Sequence, residues 1–371
     1  MTRILSVFGT RPEVIKMAPV IKELCKHPGK FSCRVCVTAQ HRQMIDSLLK
    51  LFNIKPVYDL NIMKENQSLE HITINVMTQL AEIIKQEKPD YLLVQGDTTT
   101  AMAASLVAFY QKVKIAHIEA GLRTWNKMHP YPEEINRKII DGVSDLCFAH
   151  TEQAKQNLLR EGIAEESIEV TGNTVIDALL ETAAREFDLE GTILENIPFN
   201  DKKVILVTAH RRENFGQPLI NICKAIKEIV MRHSGVYIVY PVHLNPNVQE
   251  PVYSILNGTA NILLTEPLGY GPFVQLMKRS YLVLTDSGGL QEEAPSLGKP
   301  VLVLREVTER PEGVEAGATQ IVGTRPERII ERTIELLESK REYQRMSKAV
   351  NPYGDGKASE KIVARLLKEA H

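Results

Sequence analysis

The sequence predicts an α/β protein with two doubly wound domains facing a central cleft. Short apolar, β-branched runs alternate with longer helical patterns along the whole chain. These runs are continuous instead of alternating in polarity. That marks strands covered on both faces, hence parallel sheets made of βαβ units. They also form two sets, separated by the polar stretch FDLEGTILENIPFNDK (187–202), and a length of 371 residues suits two domains better than one.

In order, the first set is RILSVF (3–8), CRVCVT (33–38), YLLVQ (91–95), VKIAHI (113–118), DLCFAH (145–150) and IEV (168–170). The second is VILVTAH (204–210), VYIVYP (236–241), NILLTE (261–266), YLVLTD (281–286), VLVLRE (301–306) and TQIVG (319–323). That gives six strands in each half, the second sheet beginning just after residue 202 and a hinge near TGNT (171–174). The expected domains are 1–174 and 175–356, with a helix at 357–371 rejoining the first.

Bulk properties narrow the function. A formal net charge of -1 supplies no global field for nucleic acid or anionic membrane, so anion binding has to be local. Five scattered cysteines point to reduced thiols, and Cys33-x-x-Cys36 falls inside a strand with no second pair to complete a zinc site. The run from Ile4 to Phe8 is too short for a signal-peptide core, and no run approaches the roughly 18 residues that span a bilayer. A soluble, cytoplasmic protein is expected.

In doubly wound sheets ligands bind beyond the carboxyl ends of the strands, and the unusual residues cluster there. After the first strand, GTRPEVIKMAP (9–19) puts Arg11 and Lys16 around a helix start. Cations oppose the helix dipole there unless an anion is present. After the third strand, QGDTTT (95–100) offers Asp97 as either a cap or a reactive carboxylate. The fourth strand leads into HIEAGLRTWNKMHPYPEEINR (117–137), with Glu119 at its end and Glu133 opening the next helix. A plain pairing of Glu133 with Arg137 at i, i+4 is the bland alternative. Otherwise three carboxylates converge on one sheet end, as acid/base chemistry requires.

In the second half, VTAHRRENFGQ (207–217) ends a strand on His210 and follows it with two arginines. TDSGGLQEEAP (285–295) joins a strand to a helix through two glycines. The N–H groups of Ser287, Gly288 and Gly289 are expected to point outward at the positive end of that helix, which suits a phosphate or diphosphate. Glu293 lies on the face of Gly289 and can accept from hydroxyls, whereas Glu292 is expected to face water. Arg310, at the next strand exit, is a further candidate for the phosphates. No dinucleotide fingerprint, Walker A string, HExxH or Asp-x-Asp pattern is present, so no metal is expected.

The strings FGTRPEVIKMAP, QGDTTT, HIEAGLR, PEEINR, HRREN and TDSGGLQEEAPSLGKPVLVLREVTERPE, in this order and spacing, resemble the non-hydrolysing UDP-N-acetylglucosamine 2-epimerases. The resemblance runs over essentially the whole chain and implies the two-domain fold shared with GT-B glycosyltransferases. It implies reversible C2 epimerisation of UDP-N-acetylglucosamine to UDP-N-acetylmannosamine, by anti elimination of UDP to 2-acetamidoglucal and syn re-addition. No cofactor is required, and a homodimer is implied.

By matching positions, Asp97, Glu119, Glu133 and His210 resemble the catalytic set. Arg11, Lys16, Ser287, Gly288, Gly289 and Arg310 resemble the UDP-binding set, with Glu293 at the ribose and Phe273 at the uracil. Leu268 stands where some members carry a polar residue, which leaves uracil recognition there to backbone groups. Gln40, His41, Gln43 and His243 match parts of a site for a second UDP-sugar activator, although Asn66 replaces an arginine found in some members. Alternatives are a 2-epimerase of a related UDP-sugar, a hydrolysing 2-epimerase, a GT-B glycosyltransferase and a non-catalytic UDP-sugar sensor.

Overall fold

The computed structural model describes residues 1–38, 42–62, 67–187 and 191–369, with backbone only at 42–44. The chain divides into two compact units, Met1–Ala178 with Tyr353–His371, and Leu179–Pro352.

The first unit contains strands β1 (Thr2–Phe8), β2 (Phe31–Val37), β3 (Tyr58–Asp59), β4 (Tyr91–Gln95), β5 (Lys114–Ala120), β6 (Leu146–Ala149) and β7 (Ile168–Val170). They form one parallel sheet in the order β3-β2-β1-β4-β5-β6-β7. Six are the runs legible in the sequence. The seventh, β3, is two residues long and half polar, so no apolar run announces it; it is held on β2 by flanking bonds from Val57 N–H to Val35 O and Leu60 N–H to Val37 O.

The second unit contains β8 (Lys203–Thr208), β9 (Val236–Pro241), β10 (Ile262–Thr265), β11 (Leu282–Thr285), β12 (Val301–Val303) and β13 (Thr319–Ile321). Their order is β10-β9-β8-β11-β12-β13, again all parallel. In each sheet the winding reverses once, between β1 and β4 and between β8 and β11. At those reversals the connecting helices leave to opposite faces, and a crevice opens at the carboxyl ends.

The cores explain the continuous apolar runs. Leu5, Val7, Leu92 and Val94 pack with Val76, Leu80 and Ala104 from helices on one face of the first sheet. Ile205, Val207, Ile238 and Leu284 do the same with Ile222, Ile226 and Ile329 in the second. The C-terminal helix Ala358–Glu369 packs against the helix Arg11–Cys25. Its first turn is capped by Asp177, whose carboxylate accepts from Ser359 N–H at 2.8 Å and Ser359 Oγ at 2.6 Å. Burial pushes the Asp177 carboxyl above its ordinary range, against those hydrogen bonds.

Candidate functional site

In the first unit the site grows from the β1/β4 reversal. A Cβ at Gly9 would stand 1.9 Å from Thr38 Oγ1, so only glycine lets β1 turn here. The turn is locked by the buried Glu13, whose Oε2 accepts from the N–H of Gly9 at 2.9 Å and of Thr10 at 2.7 Å. Thr98 Oγ1, from the β4 exit, donates to its other oxygen at 2.7 Å. Burial raises the Glu13 carboxyl despite these donors. One carboxyl thereby ties the Arg11–Lys16 turn to the segment carrying Asp97.

Glu119 lies at the end of β5 with φ at 68°, in the left-handed region, where the pairing to β6 shifts register between Ile118 and Ala120. For a non-glycine residue that conformation is strained, and the surroundings hold it in place. Lys16 Nζ reaches both its oxygens, at 2.7 and 2.6 Å; Asn173 Nδ2 donates to Oε1 at 3.0 Å, and Gln95 Nε2 donates to Oε2. These contacts, all among the described residues, are donors, which favour a carboxylate anion. The cation at the helix start thus meets an anion supplied by the protein itself. Arg11 makes no ion pair among the described residues.

Asp97 is gripped by the helix Glu133–Val143. Arg137 donates from Nε and Nη2 to its Oδ2 at 2.9 and 2.6 Å, and Asn136 Nδ2 donates to its backbone carbonyl at 2.8 Å. The alternative Glu133–Arg137 pair is therefore not formed: Arg137 turns to Asp97 and, at 3.2 Å, to Glu134. Glu134 in turn accepts from the N–H groups of Thr124 and Trp125, at 3.0 and 2.9 Å. Glu133 keeps Oε2 buried without a hydrogen-bond partner among the described residues. An unsatisfied buried carboxylate oxygen is costly and calls for an explanation.

In the second unit the β8/β11 reversal is organised by Asp286, a fully buried side chain. Its Oδ2 accepts from His210 N–H and Arg211 N–H, both at 2.8 Å, and from Asn214 Nδ2 at 3.0 Å. The His210 ring stands over this aspartate, Nδ1 to Oδ1 at 3.7 Å, and stacks on His243 with centroids 5.3 Å apart. Burial, helped by His243 and Arg211 and opposed by Asp286, pushes the His210 imidazole below its ordinary 6.5.

The helix Gly288–Ser296 opens next to this loop. Its Ser287 hydroxyl forms no cap, and the Ser287 N–H is already taken by Thr285 Oγ1 at 2.9 Å, which corrects the expectation of a free amide there. Gly288 and Gly289 N–H have no acceptor among the described residues. A Cβ on Gly288 would meet Arg211 Nη2 at 3.5 Å and the Arg310 guanidinium at 4.0 Å, so two guanidinium groups flank the helix start. Glu293 folds back over the first turn, its Oε1 3.3 Å from where a Gly289 side chain would begin.

Glu292 does not face water. It is buried and pairs with Arg310, because that arginine returns from the β12 exit across the same helix. A helix N-terminus with two cations beside it is an anion-binding arrangement. Phe273 is half-buried in the first turn of the helix Tyr270–Arg279, with its N–H on Gly269 O at 2.9 Å; Leu268 is half-buried just before it.

Gln40, His41 and Asn66, and the Gln43 side chain, lie outside the described residues. Sequence reading assigned no role to Gln95, Asn173 or Asp286, and named Arg137 and Arg211 without the neighbours they have here. Asn173 and Asp286 lie in stretches quoted for other reasons, and only the fold shows which carboxylate or loop each one holds. No helix among the described residues is long and apolar enough to cross a membrane.

The family profile described as UDP-N-acetylglucosamine 2-epimerase matches residues 22–367. The chain is 53% identical over 369 residues to the UDP-N-acetylglucosamine 2-epimerase of Escherichia coli K12, covering 98% of each protein. It is 52% identical over 374 residues to that of Campylobacter jejuni, covering 99% of this chain and 97% of the relative. The crystal structure of UDP-GlcNAc 2-epimerase from Neisseria meningitidis bound to UDP-GlcNAc is similar with a TM-score of 0.89 at 52% identity, covering 99% of this chain and all of that one.

Proposed function

The chain belongs to the UDP-N-acetylglucosamine 2-epimerase family, and from that premise we propose that it interconverts UDP-N-acetylglucosamine and UDP-N-acetylmannosamine without hydrolysing them. The observation that carries this reading is Glu119, a strand-end carboxylate held in a strained conformation by Lys16, Gln95 and Asn173. A glycosyltransferase would share the fold and the diphosphate turn but would not need three carboxylates such as Asp97, Glu119 and Glu133.

The proposed route is anti elimination followed by syn re-addition. The C2 proton leaves to a carboxylate of the first unit while the C1–O bond breaks, the electron pair going to UDP. This gives 2-acetamidoglucal. UDP then re-adds at C1, and a proton is delivered to C2 on the other face. Asp97, Glu119 and Glu133 supply the proton traffic. Asp97 and Glu119 each lie against a cation, Arg137 or Lys16, that steadies the anion. Glu133 brings a buried oxygen with no hydrogen-bond partner among the described residues.

The second unit holds the leaving group. The Gly288–Gly289 turn, Arg310 and Arg211 receive the diphosphate, and fixed donors there stabilise the charge that develops as the C1–O bond breaks. Glu293 takes the ribose hydroxyls and Phe273 the uracil. His210, whose imidazole burial pushes below its ordinary pKa, is proposed to sit beside the glycosidic oxygen or the diphosphate. The enzyme is proposed to act as a cytoplasmic homodimer without cofactor, with His243 part of a site for a second UDP-sugar.

Product identification by NMR after incubation with UDP-N-acetylglucosamine alone tests the reading. UDP-N-acetylmannosamine at equilibrium supports it. Accumulation of UDP and free N-acetylmannosamine would replace it with a hydrolysing reaction. No change without an added acceptor would point to a transferase.

A further inference from the structure

We infer that His117, which none of the proposed chemistry uses, is a positioning residue whose ring clamps together the two strand ends that carry Asp97 and Glu119. The inference rests on the epimerase reading for its kinetic readout but on geometry for its content. His117 is fully buried in β5, two residues before Glu119. Its Nε2 lies 2.8 Å from the carbonyl of Gly96, the residue before Asp97. Its Nδ1 lies 2.6 Å from Asp141 Oδ1.

A carbonyl oxygen only accepts, so Nε2 donates to it. Asp141 also receives Arg123 Nη2 at 2.6 Å and the Gly121 N–H at 3.2 Å on its other oxygen. Although burial disfavours its charge, His117 and Arg123 together hold the Asp141 carboxyl below its ordinary range. A carboxylate ringed by donors takes a donor from the imidazole as well, so both ring nitrogens donate. Arg123 is balanced by Glu161, at 3.1 Å from Nε, and Lys138 adds a further contact to that glutamate at 3.3 Å.

The consequence is mechanical. Gly96 takes φ of 72° and donates its own N–H to Ile118 O at 3.0 Å, so its peptide is pinned to β5 on both sides. Gly121, two residues beyond Glu119, is pinned through Asp141 at φ of 84°, against the Ala154 carbonyl. One ring thus fixes the backbone on the Asp97 side and, through one carboxylate, the backbone on the Glu119 side. Packing alone does not call for this: a buried ion pair costs desolvation that an apolar pair of like size avoids. Its return is geometric, and catalytic groups misplaced by about 1 Å lose on the order of a hundredfold in rate.

The test is His117→Gln, alone and with Asp141→Asn, in the full-length enzyme whose wild type has first been shown to epimerise. In the single variant the new amide can still donate to Gly96, but its oxygen faces the Asp141 carboxylate, acceptor against acceptor. Asp141→Asn in the same background turns one of those acceptors into a donor and restores complementarity. The expected result is a kcat about tenfold or more below wild type for His117→Gln, with UDP affinity by calorimetry within about twofold and partial recovery of kcat in the double variant. Wild-type kcat in the single variant, or a double variant no faster than it, would overturn the proposal. Should the variants not fold, 15N-histidine NMR of the wild type decides it. Both His117 ring nitrogens bearing hydrogen supports the clamp, and one bare nitrogen contradicts it.

Discussion

Glu119, Asp97 and His210 illustrate how much of a reactive side chain's behaviour lies in its neighbours. Glu119→Gln keeps the hydrogen-bonding shape but removes the charge that Lys16 meets at 2.6 Å. Epimerisation is expected to fall by about 10²- to 10⁴-fold, the usual worth of a positioned base or acid. UDP affinity should stay within about threefold, because Glu119 is not among the residues proposed to hold the diphosphate; calorimetry and a product assay on one preparation check both. Near-normal turnover would remove Glu119 from the chemistry.

His210 gives the pH dependence. Burial lowers its pKa from 6.5, so kcat/KM should show an acid limb centred below that value, and the limb should be missing in His210→Asn. For stability the sign is the same. The unfolded chain takes the proton first, so stability falls as pH drops below 6.5 and levels off at the folded value. The placement of Asp97, Glu119 and His210 at or just past strand ends was legible from type and spacing. The partners of Arg137 and Glu292 were not, because i, i+4 spacing says which side chains can meet on one helix and nothing about a competitor arriving from another strand exit.

Among the elements, the two glycine turns behave differently. Gly9 is crowded, with Thr38 Oγ1 1.9 Å from a would-be Cβ, so Gly9→Ala should cost about 1–3 kcal/mol of stability by overpacking, read as a lower midpoint in urea. Gly288 has only guanidinium groups at 3.5 and 4.0 Å, ordinary contact distances, so Gly288→Ala should fold as wild type yet bind UDP about tenfold more weakly, its methyl taking the space of a phosphate. Equal loss of stability in both, or unchanged UDP affinity in the second, would contradict this division of roles. Strand runs were legible because a strand covered on both faces is apolar throughout, whereas β3 was not, since two residues carry no pattern.

For the whole molecule, the segment from Tyr353 onward is more than a tail. Tyr353 is fully buried, and its carbonyl accepts from Asn173 N–H at 2.7 Å, on the residue that donates to Glu119. Asp177 caps the returning helix, so Asp177→Ala should cost about 1–2 kcal/mol, and deletion from Tyr353 should yield a chain without a cooperative thermal transition. A truncated chain melting as sharply as wild type would show that the first unit needs no such closure. The central claim is that a carbon-bound proton leaves C2 and returns on the other face. Incubating the enzyme with UDP-N-acetylglucosamine in heavy water, with no acceptor, measures it directly. Deuterium at C2 of both epimers, absent with Glu119→Gln, is the predicted result; epimerisation with the C2 proton retained would contradict it.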